Sequence, residues 1–243
     1  MRNPKFRVGD AGLKKFDIIV SNPMWNQPFD PQTYEDDPFA RFEEQGGITT
    51  GKADWAWLQH TMASMKDTGR AAVVLDSGAV TRGSGSRGED KERNIRRWFV
   101  EHDYVDGVIL LPDNLFYNTS AAGVIIVLRK NKPKDRRGKI MFVSADKEFR
   151  KGSPKNYLPD DAVTMIANFF HKGEEVEGFC AVITTDAAAR NDFNLSPSRY
   201  VTNGDEQQLR SLVEISSQLT SLTTEQQQID KELVGVLSQL LKS

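Results

Sequence analysis

The residues with the clearest chemistry follow a short apolar segment near the N-terminus. Phe16–Val20 is typical of a buried strand, and Asn22, Pro23 and Trp25 come soon after it. The Asn22 amide oxygen and the Pro23 carbonyl are both acceptors, and proline has no competing N–H. Together they suit an exocyclic amine such as that of adenine, whose two N–H groups they can bind as attack develops, while Trp25 can stack on a flipped base. The alternative is a strand-ending Asn-Pro turn with a packed tryptophan.

The elements that must position this turn follow an α/β pattern. Five apolar segments predict strands: Phe16–Val20, Arg70–Asp76, Tyr104–Leu111, Ala121–Leu128 and Lys139–Ser144. Helices are predicted over Ala53–Thr68, ended by Gly69, and over Glu89–His102. This alternation is the pattern of a doubly wound sheet, whose ligands bind outside the carboxyl ends of the strands. Asn22 stands at such an end.

The connection between the third and fourth predicted strands is short. Pro112–Ser120 is too brief for a parallel crossover, which needs a dozen or more residues, so an antiparallel hairpin at one edge of the sheet is expected. The predicted fold class is therefore α/β: a partial doubly wound, Rossmann-like sheet that ends in an antiparallel hairpin, plus a long C-terminal helix.

The C-terminal third is predicted to contain a short helix, a strand, an extended segment and a long heptad-patterned segment. We expect a helix over Asp160–Lys172 ended by Gly173, a strand over Val176–Thr185 and an extended segment over Asn191–Tyr200. From about Asp205 onward, apolar residues recur at alternating steps of three and four. That pattern predicts a coiled-coil seam, or equally an amphipathic helix folded back on its own domain.

Composition excludes several classes of protein. The chain of 243 residues carries 32 Lys and Arg against 34 Asp and Glu, and its single cysteine, Cys180, excludes an internal disulfide. No apolar run is long enough for a membrane span, and no signal peptide is visible, so a cytoplasmic protein is expected. Basic residues cluster within Arg82–Arg97 and Arg129–Lys139. These clusters are either solvated surface or phosphate contacts.

Two further patterns carry little weight. Gly83–Gly88 fits the G-x-G-x-x-G fingerprint of dinucleotide sites, but Ser77–Arg82 separates it from the preceding strand, so a mobile surface loop is expected instead. The three histidines, His60, His102 and His171, lack the spacing of metal ligands.

An ordered series of segments carries a family resemblance across residues 8–200. The segments are Gly9-Asp10, the Asn22–Trp25 turn, Ala53–His60, Gly69–Leu75, Leu111–Thr119 and Lys155–Leu158. With them, the chain resembles the methylation subunit of type I restriction–modification systems, within the adenine-specific DNA methyltransferases. The motif of that family is Asn-Pro-Pro followed by Tyr, Phe or Trp, and Met24 replaces its second proline here.

The resemblance implies a role for each matching residue. It implies catalytic roles for Asn22, Pro23 and Trp25, a contact of Asp10 with the adenine of S-adenosylmethionine, and substrate contacts by Met24, Phe116, Arg82 and Arg87. Phe116 would be a second aromatic residue against the target base, and the two arginines would face DNA. S-adenosylmethionine is the implied methyl donor, and no metal is implied.

The resemblance also sets expectations for organisation. The family's glycine-rich cofactor loop should lie upstream of the catalytic motif, yet only 21 residues precede Asn22. We therefore expect the C-terminal part of such a subunit, inactive and weak in cofactor binding as an isolated fragment. Residues 1–150 would form the catalytic-motif half of the methyltransferase domain, 151–203 its extension, and 204–243 a helix that docks other subunits.

The implied partners are DNA, a specificity subunit, a second methylation subunit and the restriction subunit, with no membrane. The alternative from a different class is a non-catalytic DNA-binding or assembly module that retains the fold.

Overall fold

The computed structural model describes residues 4, 6–9, 12–201 and 226. Residues 1–203 form one compact unit and 204–243 a second, of which only Gln226 is described. The predicted heptad helix from Asp205, with its coiled-coil seam, lies outside the described residues.

The described part of the chain contains ten strands, four α-helices and four short 3₁₀ helices. Its strands are β1 (Arg7–Val8), β2 (Gly12–Leu13), β3 (Phe16–Ser21), β4 (Pro28–Phe29), β5 (Gly51–Lys52), β6 (Met65–Asp76), β7 (Val105–Leu110), β8 (Gly123–Arg129), β9 (Lys139–Ser144) and β10 (Cys180–Thr184). Its α-helices are α1 (Asp54–Ala63), α2 (Lys91–Glu101), α3 (Asp160–Lys172) and α4 (Thr185–Arg190). Short 3₁₀ helices cover Pro31–Tyr34, Ser77–Val80, Lys134–Arg136 and Pro197–Arg199.

Six strands form one mixed sheet in the order β10-β9-β7-β8-β6-β3. The pairs β3–β6 and β7–β9 are parallel, and the other three pairs are antiparallel. Two small antiparallel ribbons, β1–β2 and β4–β5, lie outside this sheet. The predicted α/β fold class is confirmed.

The predicted hairpin of β7 and β8 is also confirmed, but its position differs from the expectation. Instead of ending the sheet, β8 lies inside it, between β7 and β6. Val124, Ile126 and Leu128 of β8 are fully buried. A strand with this apolar content is stable only where neighbouring strands and both sheet faces cover it, which explains its central position.

The first helix is shorter than the sequence predicts. It ends at Ala63, and β6 begins at Met65, which pairs with Phe16 of β3 and is fully buried. Gly69 lies within β6, where a Cβ atom would come 2.9 Å from the carbonyl oxygen of Lys66. The glycine therefore permits an irregularity in the strand and does not end the helix.

The C-terminal part of the unit follows the prediction in α3 and departs from it afterwards. Helix α3 has the predicted bounds, and Gly173 ends it with a left-handed φ of 69°. The predicted extended segment Asn191–Tyr200 is wrong. Asp192 and Phe193 have φ of 52° and 54°, so the chain turns there and continues into a 3₁₀ helix.

The main core fills the space between the sheet and helices α1 and α2. Trp55 and Leu58 of α1 and Ile95 and Phe99 of α2 are fully buried against β6 and β8. A second cluster packs α3, through Ile166, on β9 and β10. No helix among the described residues is long and apolar enough to cross a membrane. The packing of α1 and β6 fixes β3, from whose end the turn containing Asn22 emerges.

Candidate active site

The turn after β3 lies at the carboxyl end of the edge strand of the main sheet. Asn22 is exposed, Pro23 is half-buried, and Met24 is 64% exposed. Within the described residues no donor reaches the carbonyl oxygen of Pro23. The turn therefore presents an amide and a free carbonyl to solvent, at the place where ligands of open α/β sheets bind.

The Trp25 side chain holds this turn against the sheet. Its indole N–H is shared between Oδ1 of Asn22, at 3.0 Å, and the carbonyl oxygen of Val74 in β6, at 3.1 Å. The bond to Asn22 turns the amide oxygen toward the indole. Because an amide oxygen has two lone pairs, one acceptor position remains for a ligand N–H.

Phe116, from the connection between β7 and β8, packs against Trp25. Their ring centroids lie 4.5 Å apart with an interplanar angle of 65°, an edge-to-face arrangement. Gly123 permits this approach, since a Cβ atom there would lie 2.8 Å from the Phe116 ring and 2.9 Å from the Trp25 ring. The structure thus brings together two aromatic residues that the sequence predicts for the site.

A cavity of about 700 Å³ opens beside the turn. Asn22, Pro23 and Met24 line it on one side. On another side lie Phe29 and Tyr34, whose rings stack with centroids 4.7 Å apart and planes 12° from parallel. This volume is typical of sites for small organic ligands, and the aromatic lining suits a planar group.

The Arg82 side chain makes hydrogen bonds to three other residues of the chain. Its Nε donates to Glu92 at 2.7 Å, its Nη1 to Oδ1 of Asn26 at 3.2 Å, and its Nη2 to the Asp54 carboxylate. Burial opposes the charged form, but the hydrogen bonds and charges of Glu92 and Asp54 raise the pKa of the guanidinium. Each nitrogen of the Arg82 guanidinium therefore donates to a partner within the protein.

Other basic residues of the predicted clusters also stabilise the fold. Arg96 is fully buried and donates to the Phe193 carbonyl at 2.8 Å; burial lowers its pKa to about 10, so it stays charged at neutral pH. Lys132 is buried against Asp103 at 2.6 Å. Arg87 differs, because it is exposed and has no ion pair within the described residues. Of the two arginines predicted to face DNA, Arg87 is the more exposed.

The Gly83–Gly88 segment is an exposed loop before α2, as the sequence predicts. The Gly85 N–H donates to the Asp192 carboxylate at 2.7 Å, and the Arg93 guanidinium lies 3.1 Å from the same carboxylate. The Gly85 N–H and the Arg93 guanidinium are therefore both bound by a carboxylate of the chain itself. This arrangement argues against a dinucleotide site.

The described residues do not provide a complete site for S-adenosylmethionine. None of the described strands turns directly into a helix through a glycine-rich loop, the arrangement that such sheets use for nucleotide cofactors. Asp10, the predicted cofactor contact, lies outside the described residues. Nor do three or more His, Cys, Asp or Glu side chains gather as a metal site in the described part of the chain.

Sequence reasoning missed the residues that hold the turn from behind. Asn26 donates its main-chain N–H to the Asp54 carboxylate at 3.0 Å, and its main-chain carbonyl accepts from Lys52 at 3.2 Å. Asp54 is fully buried in the first turn of α1. The sequence did contain one indication, an acidic residue among the apolar residues that begin a buried helix. Because buried carboxylates are almost always paired, Asp54 could have been expected to have a partner.

The open α/β sheet and the polar, aromatic-flanked turn at a strand end fit a methyltransferase fold, and comparisons with known proteins show that class. Residues 1–208 match the family model described as N-6 DNA Methylase. The chain belongs to the N-6 DNA methylase family.

Similar proteins come from restriction–modification systems. The type I restriction enzyme MjaVIII methylase subunit of Methanocaldococcus jannaschii is 35% identical, with 98% of this chain and 41% of that protein aligned. The HindI methylase subunit of Haemophilus influenzae is 30% identical over 80% of this chain and 43% of its own length. The chain therefore spans about two-fifths of the length of these relatives.

Solved structures show the same fold. The crystal structure of a type I restriction–modification methyltransferase subunit from Streptococcus thermophilus has a TM-score of 0.70 and 32% identity, covering 77% of this chain and 38% of that one. The EcoKI M protein has a TM-score of 0.56 over 91% of this chain and 50% of its own, at 15% identity. At that identity the second likeness concerns the fold alone.

Proposed function

We propose that this chain is the catalytic-motif part of a DNA methyltransferase that transfers a methyl group from S-adenosylmethionine to the 6-amino group of a flipped adenine, within a type I restriction–modification complex. One observation supports the proposal above all. Two hydrogen-bond acceptors, the Asn22 amide oxygen and the Pro23 carbonyl, lie together beside an aromatic-lined cavity.

In this proposal the two acceptors bind the two N–H groups of the adenine amine. The amine is a poor nucleophile because its lone pair is delocalised into the ring. Acceptors fixed in advance favour the more tetrahedral nitrogen that develops during attack, and they need no reorganisation at that moment. The Trp25 N–H supports this role, because its hydrogen bond holds the Asn22 amide oxygen in one orientation.

The target base needs a surface to stack on once it leaves the duplex. Trp25 and Phe116 form an aromatic pair beside Asn22, and the exposed Met24 lines the cavity with Asn22 and Pro23. We assign base contact to these three residues. Arg87, exposed in its loop, is the basic residue that we assign to backbone phosphate.

The first strand of the sheet offers a place for a further part of such an enzyme. Among the described strands, β3 lies at the edge of the main sheet and pairs with β6 alone, and its Ile18 and Val20 are 59% and 77% exposed. With the exposed Phe6, they form an apolar surface, here called the β3 surface. Apolar edge strands invite pairing with another chain segment. We propose that the part of the relatives that this chain does not match covers this surface and completes the cofactor site.

The remaining partners follow from the same proposal. DNA, a specificity subunit, a second methylation subunit and the restriction subunit would assemble with this chain, and residues 204–243 would dock the specificity subunit. That docking segment stays a prediction from the heptad pattern. A cytoplasmic location is part of the proposal.

Complementation tests the function. The chain is mixed with a second polypeptide, the part of the MjaVIII methylase subunit that it does not match, and methyl transfer to adenine-containing DNA is measured. We expect activity from the wild-type chain and from Asn168→Ala, an exposed asparagine of α3, and a loss of about 10²-fold or more in Asn22→Ala.

Two results would count against the proposal. Activity that survives Asn22→Ala would remove Asn22 from the catalytic role. A mixture that assembles and binds DNA and S-adenosylmethionine, but transfers no methyl group, would favour the alternative of a non-catalytic module.

A further inference from the structure

We propose that the ion pair between the half-buried Arg82 and the buried Asp54 is a positioning device that fixes the catalytic turn through Asn26. The inference rests on the proposed function, since it assigns these residues to the geometry of the same site.

All three polar groups of Asn26 that face the protein are engaged. Its N–H donates to Oδ1 of Asp54 at 3.0 Å, its side-chain Oδ1 accepts from Nη1 of Arg82 at 3.2 Å, and its carbonyl accepts from Nζ of Lys52 at 3.2 Å. Asn26 directly follows Trp25, which holds the Asn22 amide. Asn26 is therefore the residue at which the chain after the catalytic turn is anchored to the rest of the protein.

The backbone of Asn26 needs this support. Its φ is 52°, in the left-handed region that side chains other than glycine adopt infrequently, although asparagine tolerates it better than most. Such conformations persist when the surroundings over-determine them, and they cluster at functional sites. The contacts from Asp54, Arg82 and Lys52 provide that constraint.

Arg82 connects the turn to the rigid part of the fold. Asp54 begins α1 and is fully buried, and Glu92, which accepts from Nε of Arg82 at 2.7 Å, belongs to α2. A buried carboxylate is stable only when it is paired and hydrogen-bonded, so the Arg82–Asp54 contact is held tightly. The planar guanidinium reaches three partners in fixed directions, which a lysine ammonium cannot do. Through Arg82, the turn is thus hydrogen-bonded to residues of two packed helices, which restrict its movement.

The test compares two ion pairs, each between a half-buried arginine and a buried aspartate. Asp54→Asn breaks the pair beside the turn, and Asp106→Asn breaks the pair of Asp106 and Arg136, joined at 3.2 Å in another part of the sheet. Arg82→Lys keeps the positive charge but removes the planar guanidinium that donates to Glu92, Asn26 and Asp54 at once.

The first readout is the Trp25 indole N–H signal in ¹H–¹⁵N spectra of the whole chain. The chain has four tryptophans, so the signal is assigned by its loss in Trp25→Phe. We expect Asp54→Asn and Arg82→Lys to shift or broaden this signal, and Asp106→Asn to leave it in place even where it lowers Tm equally. If either variant beside the turn fails to fold, Asn26→Gly replaces it, since it removes the side chain that Arg82 holds and suits the left-handed backbone.

The second readout is the kinetics of the complemented enzyme. A positioning role predicts that Arg82→Lys lowers kcat about tenfold or more while KM for DNA changes less than about threefold. An unshifted indole signal with wild-type kcat would overturn the inference and leave a merely structural pair. A raised KM for DNA with unchanged kcat would also overturn it, in favour of a phosphate contact.

The two proposals can fail separately. The indole signal is measured without DNA or cofactor, so a shift confined to the variants beside the turn supports positioning whether or not methyl transfer is found. Absence of methyl transfer in the wild-type mixture, together with that shift, would count against the proposed function alone.

Discussion

The indole N–H of Trp25 donates to Oδ1 of Asn22 across 3.0 Å. The amide of an asparagine at a surface turn can rotate and exchange its oxygen for its NH₂ group, which would replace the acceptor by a donor. The bond from Trp25 excludes that exchange, because an NH₂ group cannot accept from the indole N–H. Of the aromatic residues that occur at this position of the motif, tryptophan is the one that has such a donor.

Trp25→Phe keeps an aromatic ring but removes the N–H. We expect methyl transfer by the complemented enzyme to fall about tenfold, the equivalent of one orienting hydrogen bond, with little change in KM for DNA. Single-turnover kinetics would measure the effect. The matched control is Trp98→Phe, at the partly buried surface of α2 away from the turn. An equal loss in both variants would show that the N–H has no special role.

Gly123→Ala places a methyl group between two rings. The added Cβ would lie under 3.0 Å from both Phe116 and Trp25, so the pair must separate. We expect a loss of about 1–3 kcal/mol in the free energy of unfolding, measured with urea, as for other overpacked sites. Ser120→Ala, at an exposed position nearby, should stay within about 0.5 kcal/mol of wild type. An unchanged stability in Gly123→Ala would mean that the rings are free to move apart.

Replacement of both Ile18 and Val20 by lysine tests the β3 surface. Since these side chains are mostly exposed, the chain's own Tm should change by less than about 4 °C, whereas complementation should be lost. Size-exclusion chromatography of the mixture would measure assembly. Val163→Lys, at a 49% exposed position of α3, is the control and should assemble normally. Normal assembly of the double variant would place the docking surface elsewhere.

His60 gives the chain a pH-dependent stability. Burial, and then the charge of Arg41 at 3.2 Å, lower its pKa from 6.5 to about 4, although Asp37 opposes this shift. Between these values the unfolded chain binds a proton that the folded chain does not, so stability falls as pH decreases from about 6.5 to about 4. The contribution of His60 is at most about 2 kcal/mol between pH 7 and pH 5.

Urea denaturation at pH 7 and pH 5 checks this expectation. His60→Gln should lose less stability than wild type over that interval, because glutamine does not titrate. His102→Gln, on an exposed helix end, is the control. Equal losses in wild type and His60→Gln would show that other groups cause the pH dependence.

The elements that local signals specify were predictable. The β-branched segment Phe16–Ser21 forms a strand with the Asn-Pro turn at its end, and β9 and α3 have the expected bounds. Gly173 ends α3 because a left-handed residue is needed there and glycine adopts it without a steric penalty. In these cases the decisive interactions lie within a few residues along the chain.

Predictions failed where a distant segment decided the outcome. Residues 65–69 continue a helical pattern, yet they become strand because β3 offers main-chain partners to Met65. The position of β8 inside the sheet likewise depends on β6 and β7 together.

The sequence by itself determined the acceptor pair of Asn22 and Pro23, the aromatic residue beside it and the strand that presents them, because these depend on residue type and local order. Only the tertiary structure decided that Phe116 reaches Trp25, and that Arg82 donates to Asn26 whereas Arg87 faces solvent. The sequence shows which residues are charged but not which residue each one pairs with. An arginine binds whichever carboxylates the packing of α1 and α2 brings within hydrogen-bond distance, and that packing is a property of the whole fold.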